Sequence, residues 1–548
     1  MDYSTGKLAF IGILAVVLTA LGSWLIAWRY RLAMRRLMSA PVGVAHAPVG
    51  VAHAPVVAAV RRAAADAPAA GVELANRPRS PFDLADNRRA GWLLTVALVV
   101  LSVLIALSAA VLQNRVLLPD EPLSWKRIAV FTFIHLWPAI PALGMVWRWS
   151  RGRIAALLGL WFLLCFAIIQ WRSVESMPLQ SLAFLGLEIG PPALLIALLL
   201  LGDATRAIAP WLLPPLVGFV WASIAGIDLL WLLVERRSPW LMGLPTWLGA
   251  HTVMIAFTVL PWLIAWWPLK AVGRLLARAY ARKYLSELSV LLGAVWAVSL
   301  FWQALAAGSR LGAGGVVMLL PLLWLPLAWL IGRRWFDPRG VRPRTLLVLR
   351  VFRRDAEVQE LFDRVIDRWR LTGNTVLIAG TDLADRTLDA DDIFAFIDGR
   401  LAERFIRDPA EVDARIAAFD LERDGDGRYR INECYCHDTT WQAALDALVF
   451  RSDVVLMDLR GFQAHNAGCL HELAVLSRQS GPQRVVVLTD AVTDRAAAAS
   501  AVTGAAPDRF VWLDANRIGA RLIAEVLHQL FVPRTAAAPS MAQPAGVR

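Results

Sequence analysis

Residues 453 to 476, DVVLMDLRGFQAHNAGCLHELAVL, gather ligand-binding chemistry into one short stretch. Asp458 leaves the end of an apolar run, Arg460, Gly461, Asn466 and Gly468 follow in a loop, and Glu472 rides in the first turns of the next helix. A carboxylate, a guanidinium and an amide so close together can hold a polar ligand by charge and hydrogen bonding. In open α/β sheets ligands bind outside the carboxyl ends of the strands, and this loop lies there. The same rule marks Arg350, Phe352 and Arg354 after the first strand, and Gly380 to Asp385 after the second. Trp441, at the head of the preceding helix, joins these ligand-binding candidates.

Other chemistry-bearing groups read less well. Glu422 to Glu433, ERDGDGRYRINE, matches an EF-hand loop at Asp424, Asp426, Gly427 and Glu433, but Glu422 stands where Asp is expected. Tyr429, Ile431 and Tyr435 alternate as in a strand, so a hairpin turned at Asp-Gly is the better reading. Cys434, Cys436, His437, Cys469 and His471 are zinc-ligand types, yet no C-x-x-C pair occurs, and Cys469 and His471 point apart on a helix. No metal is therefore expected, and with Cys165 inside an apolar segment no disulfide either. DVVLMDLR also resembles the phospho-acceptor strand of a response-regulator receiver, with Asp458 as acceptor. A receiver needs an acidic pair after its first strand, where this chain has Arg350, Arg353 and Arg354.

Alternating strands and helices must position the loop. Thr345 to Val351 is a continuous apolar run, followed by Asp355 as N-cap and a helical stripe of Val358, Leu361, Phe362, Val365, Ile366 and Trp369. A Gly373-Asn374 turn leads to a strand over 375–379. Later come a helix over 441–448, a strand over 453–458, a helix over 468–477, strands over 484–489 and 509–513, and a final helix carrying Leu522 to Leu530. Strands apolar throughout, alternating with amphipathic helices, predict a doubly wound parallel sheet. Between them, 382–420 is acidic and helical in pattern, with Ile393, Phe396, Ile397 and Leu401 on one stripe.

This α/β region begins near Pro343. Before Arg333 the chain is a different material. Crossing a hydrocarbon core about 30 Å thick takes roughly 20 apolar residues of helix. Nine stretches qualify: 8–28, 91–113, 128–147, 154–171, 181–202, 207–234, 247–269, 286–306 and 312–332. The expected architecture is thus an N-terminal anchor (1–29), a linker (30–90), an eight-helix bundle (91–333), an α/β domain (343–535) and a tail (536–548). The linker carries PVGVAHA twice, at 41–47 and 48–54, in an Ala/Pro/Val tract too poor in core-forming side chains to order itself. Arg29 to Arg36, Arg148 to Arg153 and Lys270 to Lys283 fall on one side of nine spans. The positive-inside rule makes that side the cytoplasm, puts the N-terminus outside and places the α/β domain in the cytoplasm of a plasma (inner) membrane protein. Arginines directly after the first segment mark an anchor and not a cleaved signal.

The net charge of +12 suggests nucleic acid until it is divided. Residues 343–534 hold 24 Lys and Arg against 30 Asp and Glu, so the basic excess belongs to the membrane half. No nucleic-acid partner is expected. Ionisable residues within spans, His135, Glu188, Asp228 and His251, together with Pro191-Pro192, Pro214-Pro215 and Pro261, leave a transporter among the alternatives.

The strand, the Asn- and Gly-bearing loop and the Glu-bearing helix of 453–476 together resemble the TIR-like and nucleoside deoxyribosyltransferase-like superfamily. YRINECYCHDTTWQ followed by SDVVLMDLRGF is also similar to bacterial multi-span membrane proteins with such a cytosolic domain. The resemblance covers residues 343–532 and implies a flavodoxin-like fold, with Glu472 as the catalytic carboxylate in glycosidic cleavage of NAD or a nucleoside. A carboxylate there would stabilise or trap the ribosyl cation as the base departs. Arg350 or Arg354 and the following helix N-terminus would hold phosphates. The alternative is a non-catalytic scaffold that self-associates through this domain.

Overall fold

The computed structural model describes residues 5–39, 83–117, 119–172, 178–199, 203–335, 342–350, 356–379, 390–437, 439–506 and 508–532. The PVGVAHA repeat with its two histidines lies outside the described residues. Among the described residues the N-terminal part is built of helices: α1 (Thr5–Ser39), α2 (Leu84–Leu117), α3 (Trp125–His135), α4 (Ala139–Val146), α5 (Arg151–Arg172), α6 (Pro178–Leu199), α7 (Asp203–Glu235), α8 (Pro239–Leu248), α9 (Ala250–Ala281), α10 (Glu287–Leu311) and, after a 3-10 segment, α11 (Trp324–Trp335). Among the described residues seven helices are long and apolar enough to cross a membrane, or eight if the bent pair α3 and α4 is one span. The sequence reading expects nine. Its fifth segment, 181–202, is occupied by α6, whose side chains beyond Gly190 lie outside the described residues.

The third segment differs from expectation in shape. The sequence reads as one run over 128–147, but the helix breaks after His135 and turns by 45°. Short-range bonds from Leu136 N to Phe133 O and from Ala139 N to Leu136 O tighten the chain at the break, and Pro138 enters α4 without an N–H to continue the ladder. Among the described long apolar helices, α10 is the most enclosed. Leu292, Trp296 and Leu300 pack it on α2, and Leu291, Val295 and Trp302 on α7. Trp24, Leu263, Ile264 and Trp267 face outward and give the helices an apolar outer surface.

The C-terminal part is one parallel sheet. Its strands are β1 (Arg344–Arg350), β2 (Gly373–Ala379), β3 (Phe405–Ile406), β4 (Ile431–Cys436), β5 (Val454–Asp458), β6 (Arg484–Thr489) and β7 (Phe510–Asp514), in the order β3-β4-β2-β1-β5-β6-β7. Helices cover both faces. Leu346, Val348, Leu456, Val486 and Leu488 meet α12 (Ala356–Trp369) and α18 (Ala520–Phe531). Leu347, Val455, Met457, Val485 and Val487 meet α15 (Trp441–Arg451), α16 (Ala467–Arg478) and α17 (Arg495–Ala501). Burial on both sides explains why these strands are apolar at every position rather than at alternate ones. At the entry to β2, a Cβ on Gly373 would lie 2.6 Å from Trp369 Nε1 and 2.7 Å from Arg344 O, so only glycine fits.

The insertion between β2 and β4 contains α13 (Ala390–Ile397), β3 and α14 (Val412–Ala417). It contributes β3, which with β4 extends the sheet beyond β2, a pairing that its acidic, helix-like pattern does not announce. The chain winds from β1 to β2 on one side and from β5 to β7 on the other, so the order of winding reverses between β1 and β5 while all strands stay parallel. Arg350 and Asp458 stand level at that reversal.

The sheet domain sits against the ends of the helices. Tyr30 and Met34 of α1 share a core with Ile393, Phe405 and Tyr435, and the Tyr30 hydroxyl donates to Asp392 Oδ2. Arg148, beyond α4, pairs with Asp367 and approaches Asp363 at 3.8 Å. Lys283, beyond α9, pairs with Asp420 and donates to Glu422 O. Arg430 donates to Tyr280 O at 2.6 Å and stacks over the Tyr280 ring at 4.0 Å. All three basic clusters that the sequence reading assigns to one side therefore include or adjoin residues in contact with the domain.

Candidate functional site

The loop after β5 is closed by its own side chains. Asp458 is 2% exposed and takes a two-pronged ion pair from Arg460, with Nε to Oδ1 at 2.9 Å and Nη2 to Oδ2 at 2.8 Å. Gly461 turns the chain at φ 73°, the left-handed region where glycine carries no strain. Its N–H donates to Asp490 Oδ1 at 3.0 Å. Asp490 also accepts from Val492 N, and the single proton of the Thr493 hydroxyl is shared between Asp490 Oδ1 at 2.7 Å and Leu459 O at 2.9 Å. Burial would raise Asp490, but these donors hold it below the usual carboxylate range. Phe462, fully buried, anchors the loop in the core, and Asn466 Oδ1 accepts from Gln463 N at 2.8 Å.

Glu472 lies one and a half turns into α16. Cys469, Leu473 and Leu476 turn toward the sheet, and Glu472 flanks them, partly buried. Its Oε2 is closed off from solvent and has no hydrogen-bond partner among the described residues. Burial pushes the carboxyl up to about 8, so it is mostly protonated at neutral pH. The Cys469 thiol rises to about 12, first from burial and then from Glu472. His471, one residue before, sets its ring edge-on to Trp441 at 5.5 Å, with Nε2 also buried and unpartnered among the described residues. Thr440, just before Trp441, donates to Ile406 O at 3.0 Å and accepts from His437 N at 3.0 Å, which ties the start of α15 to β3 and β4.

The structure thus brings Trp441, His471 and Glu472 onto adjoining helices. Asp458, Arg460 and Asn466 are committed to the shape of the loop. Gly468, in the first turn of α16, has open space where a Cβ would be. Arg350 reaches the reversal of winding by its backbone, but its side chain, like all of Phe352, Arg354 and 380–389, lies outside the described residues. Asp490 and Thr493 belong to no motif in the sequence. Their only signal is the Thr-Asp pair ending β6, a third polar exit from the same sheet edge.

The calcium-like segment is bolted by arginines. Arg428 pairs with Asp426 through Nε at 3.0 Å and Nη2 at 2.9 Å, and Arg430 pairs with Asp424 at 2.9 Å. The arms meet at Arg423 and Tyr429, with Gly427 at φ 82° in the turn. Burial lifts Asp424 to about 7 despite Arg430. Cys434 and Cys436 share one face of β4 with sulfurs 3.7 Å apart, inside the apolar core with Cys469. In the bundle, His135 at the helix break is hydrogen-bonded to Gln113 and Gln303, Asp228 is partly buried, and His251 is exposed. The Glu188 side chain lies outside the described residues. Comparison with protein-family models, curated proteins and solved structures finds no match.

Proposed function

We propose that this chain is a multi-pass plasma (inner) membrane protein whose C-terminal domain is a flavodoxin-like, TIR-like signalling or effector module acting on an NAD-like nucleotide, with Glu472 as the reacting carboxyl. The carrying observation is the Glu472 carboxyl itself, enclosed, unpartnered at Oε2 among the described residues and held protonated by burial in the helix that follows β5. With β3 and β4 set aside, β2-β1-β5-β6-β7 has the winding of a flavodoxin-like sheet, which supports that reading. Cationic helix ends at Arg148 and Lys283 against the domain support a cytoplasmic location for it.

NAD carries a cationic nicotinamide ring. That charge beside Glu472 would lower its pKa and expel its proton as the ligand binds. The glycosidic C–N bond would then break with its electron pair leaving on nicotinamide, and the carboxylate would stabilise or trap the ribosyl cation until water adds and gives up a proton. The test is nicotinamide release from NAD by the full-length protein in lipid nanodiscs. Release that is lost in Glu472→Gln is expected; equal release by both, or none by the wild type, removes the catalytic reading.

A second reading has its own observation. Asp458, Arg460 and Asn466 are already paired within the loop, as a domain that only assembles would allow. That scaffold would self-associate with increasing concentration and leave NAD untouched.

A further inference from the structure

We propose that Arg148 and Lys283, the cations closing α4 and α9, form a binding edge for the phosphates of anionic lipid headgroups, and that the carboxylates of the C-terminal domain mask this edge in the docked state.

Both helix ends have the same construction. After α4, Trp149 N bonds Gly144 O at 2.8 Å and Arg148 N bonds Met145 O at 3.4 Å. After α9, Tyr284 N bonds Ala279 O at 2.8 Å and Lys283 N bonds Tyr280 O at 3.1 Å. These paired bonds make Schellman endings, whose turning residue is usually glycine because it must be left-handed. Here it is a cation each time, at φ 50° for Arg148 and 63° for Lys283. The end of α7 has the same motif at Arg237, φ 47°, where the side chain is exposed. A cation at a helix C-terminus is favourable by itself, so the motif alone implies no partner. Arg148 and Lys283 differ in being reached by acids from another part of the chain.

Those acids are Asp363 and Asp367 of α12 for Arg148, and Asp420 with the Glu422 carbonyl for Lys283. The two contacts lie at the ends of apolar segments, at the depth where headgroups would sit if these helices span a bilayer. Around them Arg151, Arg153, Arg274, Arg278 and Arg282 are exposed, giving each end the basic cluster that anionic headgroups recognise. Lipid phosphate and domain carboxylate thus compete for two cations, and membrane charge sets the docked fraction. This holds whether or not the domain acts on a nucleotide.

Glycine is the variant that separates charge from fold. Arg148→Gly with Lys283→Gly deletes both cations while supplying the residue best suited to the left-handed turn; asparagine, the next most tolerant, gives an independent pair. The experiment is hydrogen exchange of residues 362–370 and 420–430 in the full-length protein, in nanodiscs of phosphatidylcholine alone or with phosphatidylglycerol. Exchange is expected to rise at least threefold with phosphatidylglycerol, and the double glycine variant is expected to exchange fast in both lipids. Charge reversal of one contact, Arg148→Asp with Asp367→Arg, should restore slow exchange at 362–370 and abolish its lipid dependence. Equal exchange in the two lipids, or wild-type protection in both the glycine and asparagine pairs, overturns the proposal. Equal opening by inorganic phosphate at matched ionic strength in phosphatidylcholine would overturn the assignment to lipid.

Discussion

Replacing Glu472 by glutamine should change the pH dependence of the stability of the C-terminal domain. Burial raises the carboxyl from 4.5 to about 8 in the folded chain. That difference corresponds to an upper bound of roughly 5 kcal/mol between the two protonation states. Glu472 is partly exposed at its edge, so water entry should reduce the measured effect to about 1–3 kcal/mol. A folded pKa above the unfolded one means that the folded domain holds the proton more tightly. The stabilisation is complete below about 4.5 and is lost as pH rises through about 8. Glutamine keeps the shape and cannot ionise. Relative to wild type, the variant should be close to neutral at pH 5 and more stable by the stated amount at pH 9. Urea unfolding of the full-length protein, followed by hydrogen exchange of β5 and β6 amides between those limits, reads the difference directly. Parallel curves for the two proteins would refute the argument that Glu472 is buried and neutral.

Three other substitutions test the frame of the domain and its contact with the helices. Phe462→Ala removes a fully buried anchor and should cost about 3–5 kcal/mol in a thermal or urea melt of the domain. Arg460→Ala leaves Asp458 buried without its ion-pair partner and should cost about 3 kcal/mol, much of it recovered when Asp458→Asn is added. Gly425→Ala would set a Cβ 2.2 Å from Trp329 Cδ1, so proteolysis within 420–430 should accelerate while far-UV circular dichroism is unchanged. Gly468→Ala meets open space and serves as its control for substitution alone.

How far the residues announced all this depends on the range of the interactions involved. Strands at 345–351 and 484–489 and the final helix are found within about two residues of expectation, because burial on both faces or on one stripe writes itself into local apolar spacing. The place of β4 beside β2 is not local. Asn432, Glu433 and two cysteines interrupt the apolar pattern, and Glu433 and Asn432 are buried through hydrogen bonds to Tyr435 and Asp420 that only the fold supplies. The break after His135 is hidden because hydropathy averages over a bend. At the candidate site, residue types were legible and their commitments were not: Arg460 turns back on Asp458, and Gly461 is held by Asp490 from 29 residues away. The left-handed cations at Arg148 and Lys283 occupy a position where the usual signal, glycine, is missing.

The most direct test of the central claim is calorimetric titration of the full-length protein with NAD near pH 7, in two buffers of different ionisation enthalpy. Binding by the wild type should release close to one proton per ligand, from Glu472, and Glu472→Gln should release none. An identical isotherm and proton count for both proteins, or no heat from either, would contradict the assignment.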